Sequence, residues 1–174
     1  MDFYEVIGKR HSIRKYKPDA VSDDKLNRIL DAAHMAPSGK NGQPWRFIVV
    51  RAEELRKKLI APCRDQAFIA EAPVIIVGCA NEDESYQKQG NYMKSWSIDL
   101  ALAFDHLMLA ATVEGLGTCW IGAFDEKEVK KALDIPEQLR VVGLTPLGYA
   151  ATEPKPKPRK ALQEIVFYDQ SPKG

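Results

Sequence analysis

The sequence has few cysteines, and their placement gives them little scope to act together. Cys63, Cys79 and Cys119 are far apart among the 174 residues, and no Cys-x-x-Cys occurs. The odd number and the spacing argue against a zinc site, an iron–sulfur cluster or a disulfide framework, and favour a reducing cytoplasm. We expect each thiol to be a small buried apolar group, and we predict no metal site.

An excess of charge of one sign is also missing. The chain has 25 Lys and Arg against 24 Asp and Glu, a formal net charge of +1, so no general attraction to nucleic acid or to an anionic membrane is expected. The longest apolar segment, residues 100–113, contains Asp105 and His106 and is predicted to be too short and too polar to span a bilayer. No signal peptide is recognisable at the N-terminus. We therefore expect a cytoplasmic protein, with one domain over residues 1–174.

A loop rich in small and polar residues stands out in the first third of the chain. Residues 36–46 follow a helical pattern that Ser22 is expected to cap, and lead into the apolar run 47–50. Glycine lets the backbone approach a ligand closely, and Ser38, Asn41 and Gln43 offer uncharged hydrogen-bonding groups. Such a loop suits a flat, polar-edged ring, although an ordinary helix-to-strand connection has the same composition.

Two basic segments lie near the two ends of the chain. Residues 10–15 are Arg-His-Ser-Ile-Arg-Lys, a pattern that favours either a phosphate site, gripped by guanidinium groups and a hydroxyl, or a solvated surface loop. Residues 153–160 alternate proline with charge, which excludes a helix. An extended chain would align Lys155, Lys157 and Arg159, whereas a polyproline helix would align Lys157 with Lys160. A stiff surface linker is the third possibility.

The remaining pattern predicts a central sheet and one buried helix. Residues 74–80 are apolar on both faces, as in a central strand. Residues 140–149 form the last core strand, where Pro146 indicates an edge or a bulge, and residues 118–121 a short one. Residues 98–113 are apolar nearly all round, so this helix is buried on several sides or shared with a partner subunit. The polar residues 81–94 form either a mobile segment near a substrate or a surface connection.

Four stretches in the same order resemble the nitroreductase family of flavin mononucleotide (FMN) enzymes. They are Arg10-His-Ser-Ile-Arg14, the loop Ala36-Pro-Ser followed by Asn41 and Gln43-Pro-Trp-Arg-Phe47, the stretch Gly115-Leu-Gly-Thr-Cys-Trp-Ile-Gly122, and Gly148-Tyr149 followed by Lys157-Pro-Arg159. The resemblance implies an α+β fold: a mostly antiparallel sheet of four or five strands with helices on both sides, in a domain-intertwined homodimer. Pattern alone would equally allow a doubly wound α/β sheet.

The resemblance also implies a cofactor and the residues that hold it. FMN would have its phosphate bound near the basic segments, its ring lined by the loop of the other subunit, and one ring edge covered by the backbone after residue 119. The cofactor-binding residues expected are Arg10, His11, Ser12, Arg14, Pro37, Ser38, Gly39, Asn41, Gln43, Trp120, Ile121, Gly122, Ala123, Lys157 and Arg159. No side chain is assigned a catalytic role, because hydride transfer to a flavin requires no protein acid or base.

The activity implied is reduction of a nitroaromatic, a quinone or a similar small aromatic acceptor by NADH or NADPH in a ping-pong scheme. Two alternatives remain open at this point. One is a related flavin reaction on the same scaffold, either reductive dehalogenation or breakdown of flavin itself. The other is a protein that binds flavin without turning anything over.

Overall fold

The protein forms a four-stranded antiparallel sheet with helices on both faces. The computed structural model describes residues 1–154, 156–169 and 171–172. The sheet order is β1-β2-β4-β3, and every neighbouring pair is antiparallel, which confirms the α+β class and excludes the doubly wound parallel sheet. The elements are α1 (Phe3–Lys9), α2 (Asp23–His34), β1 (Trp45–Val50), α3 (Glu53–Lys58), α4 (Phe68–Glu71), β2 (Val74–Asn81), α5 (Trp96–Val113), β3 (Gly117–Thr118), α6 (Glu126–Leu133) and β4 (Leu139–Gly148), with short 3-10 helices at Gly39–Asn41, Glu82–Glu84 and Leu162–Glu164.

Strand β2 separates two hydrophobic cores. Ile76 points into the core that α2 and α5 complete, together with Ile29, Phe104 and Leu107. Val77, the next residue along the strand, points into the opposite core, which α3 and α6 cover. Successive strand residues face opposite sides of a sheet, so a strand covered on both faces reads as the continuous apolar run seen here. The predicted central position of this strand is confirmed.

Helix α5 is longer than its apolar pattern suggested. It holds 18 residues and is, by length and composition alone, able to cross a membrane, so the prediction that this segment is too short was wrong on length. It is packed as a core helix, because Leu100, Phe104 and Leu107 are fully buried against α2 and the sheet. Its other side stays exposed along a stripe that includes Ile98, Leu102 and Val113.

The irregularity expected near Pro146 occurs in β4 itself, where the register with β2 shifts between Gly78 and Cys79, and also in the neighbouring segment. Strand β4 is internal to the sheet, but β3 pairs with it only at Gly117 and Thr118. The chain then leaves the ladder and returns for a single bridge between Ile121 and Leu144. The N–H of Leu144 points towards Ile121. Because backbone groups alternate in direction along a strand, the nitrogen of Pro146 points to the same side of β4. The chain has left the ladder there, so no hydrogen-bond donor is needed. The predicted strand over residues 118–121 is therefore interrupted.

Candidate functional site

The two basic segments meet in one cavity of about 300 Å³. Among the residues that the structure describes, none of its arginine or lysine side chains forms an ion pair with a carboxylate. Unpaired cations around a hydroxyl are the donor set that a phosphate needs. The cavity joins the two ends of the chain and is lined by Arg10, His11, Ser12, Arg14, Pro154, Lys157 and Arg159.

The C-terminal side of this cavity favours the extended alternative. Lys157 and Arg159 both line it, whereas Lys160 does not. Residues two apart share a side in an extended chain, but not in a polyproline helix of three residues per turn. Lys155, the third member of the extended alternative, lies outside the described residues.

The N-terminal side is held in place by the sheet. Ile13 donates its N–H to the carbonyl oxygen of Thr118 over 2.8 Å, and Tyr16 donates its hydroxyl to the carbonyl oxygen of Ile13 over 2.8 Å. A Cβ at Gly117 would lie 2.5 Å from Ile13 Cγ1, so the close approach of these two segments requires glycine. The ring of His11 is occupied locally, because Nδ1 lies 3.0 Å from the carbonyl oxygen of Lys9.

Cys119 lies beneath the basic cavity. Its side chain is buried, and burial raises the pKa of the thiol, while the charge of Arg14 and the nearby Ser12 hydroxyl act in the opposite direction. The backbone N–H of Cys119 donates to Thr145 Oγ1 over 3.0 Å. The thiol is thus a buried packing group beside the site, as expected of each cysteine.

The central loop places three residues in left-handed backbone conformations. The φ angles of Lys40, Asn41 and Gln43 are 52°, 57° and 48°. Ser38 Oγ accepts a 3.0 Å hydrogen bond from the N–H of Gln43, and Gln43 Nε2 donates to the carbonyl oxygen of Asn41 over 3.2 Å. Side-chain bonds within the loop therefore stabilise a backbone that non-glycine residues seldom adopt. Pro37 and Asn41 stay exposed to solvent.

A second cavity of about 440 Å³ lies between this loop and the chain after β2. Gly39, Lys40 and Gly42 form one wall, and residues 84–88 form the other. The polar segment 81–94 thus packs against the loop, a contact that both alternatives for this segment allow. This cavity shares no lining residue with the basic one, so the phosphate-binding candidates and the loop candidates line two different cavities of the subunit.

The segment after β3 offers fewer backbone groups than expected. Ile121 is buried, and its N–H and C=O both pair with Leu144, over 2.8 and 3.1 Å. Its amide hydrogen is therefore already used. Gly122 and Ala123 are exposed, and they are the positions in this segment whose backbone can reach a ligand edge. The Trp120 ring packs edge-on against Phe104, with centroids 5.1 Å apart.

Two residues that the sequence reasoning missed connect the loop to the segment beyond it. Asp99 accepts the N–H of Gly39 over 2.8 Å and the hydroxyl of Ser95 over 2.6 Å, and both side chains are buried. The available signal was a carboxylate in the first turn of a helix that is otherwise almost wholly apolar. A buried carboxylate is costly unless it is hydrogen-bonded, so its position alone suggested a specific partner.

A family model, curated proteins and solved structures were compared with this chain, and all three identify related proteins. The model of the family described as "Nitroreductase family" matches residues 7–68 and 60–149. A nitroreductase family protein of Clostridium novyi is 45% identical, with 86% of this chain and 87% of that one covered and a TM-score of 0.80. One from Clostridium difficile is 32% identical, with 98% and 99% covered and a TM-score of 0.90. A Bacillus subtilis FMN reductase acting with NAD(P)H is 30% identical, with 92% and 70% covered.

Proposed function

Because the chain belongs to the nitroreductase family, we propose that it is an FMN-dependent oxidoreductase that uses NADH or NADPH to reduce a small aromatic acceptor. The observation that carries the proposal is the basic cavity. Three guanidinium groups, an ammonium group and a hydroxyl converge there from both ends of the chain, which fits the terminal phosphate of a mononucleotide.

Each part of the chain has a distinct task in this proposal. Arg10, Ser12, Arg14, Lys157 and Arg159 bind the phosphate. Pro37, Ser38, Gly39, Asn41 and Gln43 line the ring, and Trp120, Gly122 and Ala123 cover one edge, with Ile121 anchoring that edge to β4. When bound, FMN supplies hydride acceptance and two-electron transfer. The protein contributes binding, orientation and exclusion of water, and no side chain acts as acid or base.

We also propose that the protein is a homodimer whose loop reaches the ring of the partner's site. The supporting observation is the separation of the two cavities within one chain. A second is the apolar surface left uncovered: the exposed stripe of α5, the exposed Phe3, Tyr4 and Ile7 of α1, and Leu162, Ile165 and Phe167 in the C-terminal segment. An excess of exposed large apolar side chains is characteristic of an interface.

The reaction order follows from the space available. If the loop lines one face of the ring, the nicotinamide and the acceptor must use the other face in turn, because both are flat and of similar width. We therefore propose a ping-pong scheme with nitroaromatics or quinones as acceptors. Steady-state rates of NADH and NADPH oxidation, measured over both substrates, should give parallel double-reciprocal lines. Intersecting lines would indicate a ternary complex and contradict the shared face.

The cofactor itself is tested by heat release of the bound chromophore followed by chromatography. FMN is the expected product. Recovery of FAD, or failure of the protein to take up any flavin on reconstitution, would overturn the proposal. A protein that retains FMN but oxidises neither nicotinamide would instead be the flavin-binding alternative, and a dehalogenase would show turnover with a halogenated aromatic in place of the nitroaromatic.

A further inference from the structure

Asp99 is a buried junction between three parts of the chain. Its Oδ1 accepts the backbone N–H of Gly39 over 2.8 Å, and its Oδ2 accepts the hydroxyl of Ser95 over 2.6 Å. Ser95 Oγ in turn accepts the backbone N–H of Tyr86 over 3.0 Å. A continuous chain of hydrogen bonds therefore runs from the central loop, through the first turn of α5, to the segment after β2.

The two segments joined by this chain also touch directly. A Cβ at Gly39 would lie 2.7 Å from Tyr86 Cβ and 2.8 Å from Ser95 Oγ, and a Cβ at Gly42 would collide with the carbonyl oxygen of Glu84. On the outer side, Arg46, at the end of the loop, forms two hydrogen bonds with Glu84, of 2.7 and 2.9 Å. The two walls of the 440 Å³ cavity are thus in close contact at Gly39 and Gly42 and are linked by the ion pair of Arg46 with Glu84.

The hydrogen bonds to Asp99 are what stabilise its buried charge. Asp99 is 2% exposed and Ser95 is 1% exposed, and in the described part of the chain Asp99 has no cationic partner. A buried carboxylate without a counter-ion is stabilised by its donors, here an amide and a hydroxyl, and by the positive end of the α5 dipole. Losing a donor leaves the carboxylate less well solvated, and losing the carboxylate leaves two donors unsatisfied.

From these contacts we propose that Asp99 is a positioning residue that ties residues 82–94 to the ring-lining loop, so that the two walls of the 440 Å³ cavity keep one relative position. The proposal rests on the proposed function for its consequence, since the loop is the part assigned to the flavin. Ser95 connects α5 to residues 82–94, whereas Asp99 connects α5 to the ring-lining loop and, through Ser95, to residues 82–94. Replacing Ser95 should therefore loosen only residues 82–94, whereas replacing Asp99 with alanine should loosen the loop as well.

Hydrogen exchange measured by mass spectrometry separates the two links, and it does so without flavin. In Ser95→Ala, the N–H of Tyr86 loses its acceptor, so exchange in residues 85–95 should rise by about ten- to a hundredfold while residues 38–43 keep the parental rate. In Asp99→Ala, both segments should exchange faster. Asp99→Asn keeps an acceptor for Gly39, so residues 38–43 should keep the parental rate, and Ser95 Oγ can still accept from Tyr86 because a hydroxyl oxygen has two lone pairs.

Ser97→Ala is the matched control, because Ser97 lies on the same helix and forms no side-chain hydrogen bond within the described residues. It should exchange at parental rates in both segments. The proposal is overturned if Ser95→Ala releases both segments equally or neither, or if Asp99→Asn releases the loop. Should Asp99→Ala fail to fold, the Ser95 and Asp99→Asn variants still decide the question.

Kinetics on the flavin-loaded protein test the positioning role against a general loss of structure. Ser95→Ala should raise KM for the nicotinamide and the acceptor about tenfold, with little change in kcat and none in FMN affinity. Asp99→Ala should weaken FMN binding as well. In Ser95→Ala, a fall in kcat as large as the expected rise in KM, with KM itself unchanged, would contradict the positioning role. If the parental protein binds no flavin, the proposed function fails, while the exchange result still stands or falls on its own.

Discussion

The rings of Phe104 and Trp120 meet edge to face, with centroids 5.1 Å apart and an angle of 86° between their planes. Two glycines make the space for them: Gly78 on β2 and Gly143 on β4 are partners in the strand register. A Cβ at Gly78 would collide with the Phe104 ring, and one at Gly143 would lie 2.7 Å from Trp120 Cη2. The aromatic pair thus occupies a depression in the sheet that two absent side chains create.

Gly143→Ala is therefore expected to destabilise the protein. The added methyl group must displace the indole from the sheet, and overpacking of this kind costs about 1–3 kcal/mol. Chemical unfolding monitored by circular dichroism measures the difference, and the fluorescence of Trp120 should shift as its surroundings change. Gly8→Ala on α1 is the control, because nothing lies within 4 Å of the added Cβ. It should be neutral or stabilising, since alanine favours a helix more than glycine does.

Arg14→Ala is expected to weaken FMN binding far more than Lys15→Ala. Arg14 lines the basic cavity, whereas Lys15 is exposed outside it. A hydrogen bond between charged groups contributes about 1.5–3 kcal/mol, which corresponds to about ten- to a hundredfold in affinity. Flavin fluorescence titration of the apoprotein measures both variants. Equal effects would mean that the basic segment is merely a solvated surface.

Leu102→Asp tests the exposed stripe of α5. Leu102 is 41% exposed in the single chain, and a carboxylate buried there between two subunits would cost several kcal/mol. Light scattering should show a dimer for the parental protein and a monomer with little bound flavin for the variant. Lys127→Asp, on the solvent side of α6, introduces the same side chain and should remain dimeric. A parental monomer that retains FMN at micromolar concentration would disprove the interfacial site.

Glu126 should contribute a stability that disappears on acidification. Burial alone would raise the pKa of this carboxyl, but two hydrogen bonds from Arg140, of 2.9 and 3.0 Å, and one from the N–H of Val141 lower the pKa below its ordinary value of 4.5. A carboxylate with a lowered pKa stabilises the fold above that ordinary value, and its contribution is lost as the pH falls through the lowered one.

Glu126→Gln should accordingly be less stable than the parent by about 1–2 kcal/mol at pH 7, allowing for the partial exposure of the pair. The difference should shrink as the pH is lowered below 4.5. Urea unfolding at a series of pH values measures it. Glu128→Gln is the control on the same helix, because Glu128 makes only a 4.0 Å ion pair with Lys131. A pH-independent difference for Glu126→Gln would show that packing, not charge, is responsible.

The buried thiols predict a loss of stability at the alkaline end. Burial raises the pKa values of Cys63 and Cys79 from 9.0 to about 11. A raised pKa gives stability that is complete below 9.0 and is lost as the pH rises towards 11. Replacing both with alanine should flatten this part of the stability profile. In the parental protein, iodoacetamide should label the native thiols slowly at pH 8 and rapidly in urea, and rapid native labelling would contradict their burial.

The local sequence pattern was enough to predict which segments form helices and which form strands in most cases. Ser22 caps α2 as expected, and β2 is the buried central strand. These features depend on neighbours within a few positions, so they are visible in a single sequence. The antiparallel arrangement was not visible in this way. Composition allowed a parallel sheet equally well, and only the family resemblance favoured the right alternative.

In the candidate site, too, some features follow from the local sequence and others depend on the tertiary structure. Residue types at positions 10–14 and 157–159 determined that each segment could bind a phosphate, since guanidinium chemistry is local. Whether the two segments form one site was decided by the tertiary structure, because it depends on Ile13 pairing with Thr118 and on the extended path past Pro158. The link from Gly39 through Asp99 to Ser95 and Tyr86 likewise joins positions up to 60 residues apart. No local pattern predicts such a contact, because the packing of α5 against the sheet is what brings the carboxylate to the loop.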